Sequence, residues 1–134
     1  VLWLNGDVVF QAEVLHRLMS CNNTSMAVNV GAVGKEEVKY TLCSDGTVRR
    51  VSKLITNGLG ESLGIHFVKN ESLRLLESQL DICKNTDYFE KALELSIDRG
   101  LRVHPVDVSD LKCVEIDFEE DLWLANRMFT NQEP

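Results

Sequence analysis

Two aspartates stand where hard oxygen donors could meet a substrate: Asp7 in LNGDVVF and Asp117 in VEIDFEEDL. Each follows an apolar run that reads as a strand, and open α/β sheets take ligands at the carboxyl ends of their strands. A magnesium ion commonly takes one or two carboxylates and fills its other positions with substrate phosphate oxygens and water. Two such aspartates supply the protein's share. Each also has a plainer reading. Asp117, followed three positions later by Glu120, fits a helix-capping pattern, and Asp7 directly follows the turn signal Asn5-Gly6.

The elements around these residues must bring them together. VLWL reads as a buried strand that stops at Asn5-Gly6-Asp7, and residues 11–20 follow as a helix with Val14, Leu15 and Leu18 on one face. SMAVNV is a strand. EEVKYTLCS and TVRRVSKL flank Asp45-Gly46 and form a hairpin whose turn needs positive φ. ESLGIHFV is another strand, Asn70 caps a helix carrying Leu73, Leu76 and Leu80, and a further helix runs from about 87 to a stop at Gly100. LRVHPVDV is a short strand in which Pro105 favours a sheet edge or a bend. CVEI is another, ahead of a last helix, FEEDLWLANRMF, whose Trp123 and Phe129 are expected in the core beside Leu122, Ala125 and Met128. The final TNQEP should fray. The pattern is mixed α/β, with no internal repeat and no linker.

Taken in order, Gly6-Asp7, the Asp45-Gly46 hairpin, Gly60-Glu61-Ser62-Leu63-Gly64-Ile65, the segment from Tyr88 to Leu93, and Glu115-Ile116-Asp117 through Leu122 resemble the nucleotidyltransferase superfamily. That superfamily has a GT-A-like, Rossmann-related fold and includes phosphocholine, aminoethylphosphonate and sugar-phosphate cytidylyltransferases. The resemblance spans nearly the whole chain and implies that residues 1–134 form the C-terminal part of one such domain. It also implies that Asp7 and Asp117 are catalytic and bind Mg2+, which bridges a nucleoside triphosphate, CTP foremost, and a small phosphorylated alcohol, amine or sugar. Substrate-binding positions are then Glu61, Tyr88, Glu115 and Lys53. For Glu61 the plainer role is a paired charge on a solvent-facing strand, and for Lys53 a solvated strand end. Tyr88 and Phe89 are adjacent on a helix, so one packs while the other faces a pocket. Choline-recognising relatives carry an aromatic just before E-I-D; here Lys112-Cys113-Val114 occupies that place, against phosphocholine as the acceptor.

The Gly-rich loop of L-A-A-G-x-G-x-R type that cradles the triphosphate in such enzymes has no match among the dispersed glycines. The chain also opens inside an apolar run without a start methionine, so it reads as a piece expected to be inactive alone and prone to dimerise through open strand edges. With 21 acidic against 14 basic residues it lacks the field to bind nucleic acid, and no apolar run approaches bilayer length. Cys21, Cys43, Cys83 and Cys113 are scattered as in a reduced, cytoplasmic protein, and His16, His66 and His104 show no metal-ligand spacing, though His66 could face a ligand. Two other readings stay open: a GT-A glycosyltransferase, although D-x-D is absent at Asp7-Val8-Val9, and a non-catalytic module that keeps the fold.

Overall fold

A computed structural model describes residues 1–130, so the expected fraying of the end lies, beyond Thr130, outside the described residues. The elements run β1 (Leu2–Leu4), β2 (Val8–Phe10), α1 (Glu13–Ser20), β3 (Ser25–Val30), β4 (Lys39–Leu42), β5 (Val48–Ser52), β6 (Gly60–Phe67), α2 (Asn70–Leu80), α3 (Phe89–Asp98), β7 (His104–Asp107), β8 (Cys113–Glu115) and α4 (Glu119–Thr130). The mixed α/β class read from the sequence is the one observed.

The main sheet has the order β5-β4-β6-β3-β7, with β1 paired to the Ile65–Phe67 end of β6. Only β3 and β7 run parallel; the other pairs are antiparallel. Successive residues of β3 serve opposite faces, as the period of a strand requires. Met26 and Val28 join Leu76, Ala92 and Leu93 beneath α2 and α3, whereas Ala27 joins Val14 and Leu18 of α1 with Ile65 and Val106. The sheet is thus covered on both sides, which gives three layers. Pro105 falls on the edge strand β7, where its missing N–H costs no ladder bond. Among the described residues no helix is long and apolar enough to cross a membrane, and all four cysteines are unpaired.

The local chemistry explains most boundaries. Gly46, at φ 83°, closes the β4–β5 hairpin. Gly100, at φ 101°, ends α3 in a Schellman arrangement, with Leu101 N–H donating to Ser96 O and Gly100 N–H to Ile97 O, both at 2.9 Å.

Four expectations need correction. The VLWL strand forms but is not buried: Leu2, Trp3 and Leu4 are 38%, 41% and 43% exposed, because β1 pairs only with β6, along one edge. Asn70 is the first residue of α2 rather than its cap; Lys69 precedes it, and the Lys69 N–H donates to Thr24 Oγ1. On α4 only Ala125 is buried, and Trp123 is 66% exposed, because the helix packs chiefly on β8, outside the two filled layers. His66 does not face a ligand; it is fully buried.

Candidate active site

Asp7 and Asp117 lie 110 positions apart in sequence, and a strand pair too short to show periodicity joins them. β2 and β8 form a separate two-stranded ribbon in which Val8 faces Glu115, Val9 faces Val114 and Phe10 faces Cys113. Beyond its end, Ile116 N–H donates to Asp7 O at 2.8 Å. Asp7 is therefore held opposite the residue between Glu115 and Asp117. At the other end of the turn, Asn5 N–H donates to Gly64 O at 2.8 Å. Gly64 sits at φ 68°, within an irregular stretch of β6 where the register with β3 shifts, and a Cβ there would lie 2.4 Å from Asn5 Nδ2. Glycine is what lets the Asn5–Asp7 turn approach so closely.

The result is a cluster of three carboxylates, Asp7, Glu115 and Asp117, with one oxygen of each within 4.8 Å of the others. Asp7 and Asp117 are exposed and Glu115 is half-buried. Burial, then the charges of Asp117 and Asp7, push the Glu115 carboxyl up to about 7. The Asp117 carboxylate is not consumed by capping α4. Asp121 does that instead, accepting from the backbone N–H of Asp117 at 3.1 Å and of Phe118 at 2.9 Å. This is the half of a capping box in which a first-turn acid reaches back to the start of its helix.

The donor set suits a divalent cation. All three ligands are hard oxygens, and oxygens on opposite sides of a magnesium ion are about 4 Å apart, so only a small closure separates this spacing from coordination. Their mutual repulsion, visible at Glu115, is what a bound cation would relieve. Glu115, a substrate contact in the sequence reading, thus stands beside the two aspartates.

Two clefts meet at the cluster. One, of about 360 Å³, includes Asp7, Lys53, Ser62, Tyr88, Glu90 and Glu115. The Lys53 amine lies over the Tyr88 ring, 4.5 Å from its centre, so both residues wall this side. Phe89 turns the other way and stacks on Trp3, 4.2 Å between ring centres at 9°. The other cleft, of about 430 Å³, holds Glu61, Asn29, Ser109 and Asp121 beside Glu115 and Asp117. Asn29 Nδ2 donates to Glu61 at 3.3 Å, so Glu61 is tied to a neighbouring strand and stands in a different cleft from Lys53 and Tyr88.

Sequence reasoning missed Glu90. It is 4% exposed on α3, at a position whose helical neighbours Leu93 and Ile97 pack inward, so a carboxylate in an apolar stripe was the available signal. Ser62 Oγ donates to Glu90 at 3.3 Å and lies 3.5 Å from His66 Nε2. His66 and Glu90, 3.9 Å apart, are within ion-pair reach, but burial opposes charge on both. It lowers the imidazole to about 3 and raises the Glu90 carboxyl above its ordinary value.

No family model matches the chain, and no curated protein matches it. Solved structures do. The chain is similar to the inositol-1-phosphate CTP transferase from T. maritima, with TM-score 0.75 and 17% identity, covering 99% of this chain and 57% of that one. It is also similar to the CTP:phosphocholine cytidylyltransferase from Streptococcus pneumoniae, with TM-score 0.68 and 13% identity, covering 93% of this chain and 55% of the other. The UTP-bound UGPase from Acinetobacter baumannii gives TM-score 0.62 and 12% identity, covering 98% and 50%. At these identities the likeness is one of fold, and the chain spans 50% to 57% of the length of these structures. The described residues therefore carry the fold of the nucleotidyltransferases over about half of its extent.

Proposed function

We propose that the chain is the C-terminal part of a magnesium-dependent nucleotidyltransferase domain. The convergence of Asp7, Glu115 and Asp117 on one point beside two clefts carries this reading. The three carboxylates would hold the ion, which when bound neutralises charge on the phosphoryl oxygens of the substrates. Lys53 brings a positive charge to the same cleft and suits an acceptor phosphate, with Tyr88 as the adjoining wall. Glu61, held by Asn29, offers a hydrogen-bond acceptor to the substrate in the neighbouring cleft.

The reaction is transfer of a nucleotidyl group, cytidylyl in our reading, to a small phosphorylated alcohol, amine or sugar. An acceptor phosphate oxygen attacks the α-phosphorus of the triphosphate, and pyrophosphate leaves. No covalent protein nucleophile is needed. The four free thiols agree with work in a reducing cytoplasm.

The test is turnover with CTP, magnesium and a panel of phosphorylated acceptors, using the chain alone and the chain joined to the preceding half of such a domain. Pyrophosphate release by the joined protein, lowered roughly a hundredfold or more by Asp117→Asn, is the expected result. Release that is indifferent to Asp117→Asn and Asp7→Asn would remove the basis of the reading.

A further inference from the structure

A separate cavity lies at the opposite end of the sheet, and its chemistry is the reverse of the acidic site. The larger carboxylate cleft includes Asn29, near the end of β3, whereas this cavity includes Thr24, just before β3 begins. It measures about 510 Å³ and is lined by Lys69, Arg99, Arg102 and His104, with Thr24 and Ser72 behind them. In a chain of net charge −7, three of the 14 lysines and arginines gather here against a single lining carboxylate, Glu71. Glu71 lies 3.6 Å from Lys69, and Arg102 pairs with Asp45. Among the described residues Arg99 makes no ion pair.

The two hydroxyls add an independent observation. Thr24 and Ser72 are 4% and 8% exposed, and their oxygens are 2.7 Å apart. Thr24 Oγ1 also accepts the Lys69 N–H, at 3.1 Å. Two hydroxyls carry two hydrogens, and their mutual bond uses one. The other has no acceptor among the described residues, although buried hydroxyls are rarely left without one. A donor with no acceptor among the described residues, on the wall of a cavity rimmed by cations, suits an electron-rich oxygen of a ligand.

We infer that this cavity binds a small phosphate-bearing anion, with Arg99 and Lys69 balancing its charge and the Thr24–Ser72 pair donating to one of its oxygens. The volume suits a small phosphorylated metabolite. The site is separate from the carboxylate cluster, so it stands or falls independently of the proposed nucleotidyl transfer.

The experiment is an amide-resonance titration of the 134-residue chain with inorganic phosphate and with pyrophosphate, at constant ionic strength, with sodium chloride as the control. Saturable shifts at Thr24, Lys69–Ser72 and Arg99–His104, weakened at least fivefold by Arg99→Gln and by Ser72→Ala, are expected. Arg99 is exposed, so its variant should fold even if Ser72→Ala does not. Asp117→Asn should leave the binding unchanged. Shifts that fail to saturate, that match the chloride control, or that persist at equal affinity in Arg99→Gln would overturn the assignment.

Discussion

At the scale of single residues, environment gives the carboxylates of the site different work. Asp7 and Asp117 are exposed, whereas burial and the neighbouring aspartates bring Glu115 up to about 7 from an ordinary 4.5. Between these values the folded protein keeps a proton that the unfolded chain has released. The contribution of Glu115 to stability is therefore complete below pH 4.5 and is lost as the pH rises through about 7. Without divalent ions, Glu115→Gln should abolish that decline, as read from melting temperature against pH; an unchanged profile would contradict the assignment. His66 has the opposite sign: its ring falls from 6.5 to about 3 on burial, so its contribution is present above 6.5 and lost as the pH falls toward 3. The windows overlap between 4.5 and 6.5, so the two groups partly mask each other in the native protein and single variants must separate them. The pairing of Asp7 with Asp117 was expected from the apolar runs that each follows, and the structure brings their carboxylates together. Glu90 was not, because period alone does not reveal which carboxylate an apolar helix face will bury.

At the scale of elements, two glycines with positive φ separate stability from site geometry. Gly64→Ala forces a Cβ both into a left-handed backbone and against Asn5, and should cost about 2 kcal/mol or more in urea unfolding. Because Asn5 leads directly to Asp7, the variant should also weaken divalent-ion binding. Gly100→Ala, at the end of α3 with open space around the new Cβ, should cost about 1 kcal/mol and leave ion binding intact. Equal effects of the two variants on ion affinity would show that the β6 irregularity does not position the site. The hairpin and the end of α3 were readable because Asp45-Gly46 and Gly100 demand particular backbone conformations. The ribbon of β2 and β8 was only half readable, since β2 has three residues and its partner lies more than a hundred positions away. The exposure of β1 and α4 escaped notice because apolar composition does not say which layer will cover a segment.

At the scale of the whole molecule, the fold sets an acidic site at one end of a three-layer sandwich and leaves apolar surface on β1 and α4. Trp123 and Phe118, 66% and 71% exposed, lie on or beside the helix that follows Asp117. We expect this chain to self-associate through its open strand edges and this surface, as sedimentation across a concentration series would show. A clean monomer at high concentration would contradict that. Whether the three carboxylates meet on one cation is tested most directly with Mn2+ as a paramagnetic substitute for Mg2+. Substoichiometric Mn2+ should broaden the resonances around Asp7, Glu115 and Asp117 first, Mg2+ should reverse the effect, and Asp117→Asn should weaken binding at least about tenfold. Broadening spread evenly over the acidic surface, or unaltered in Asp117→Asn, would contradict it.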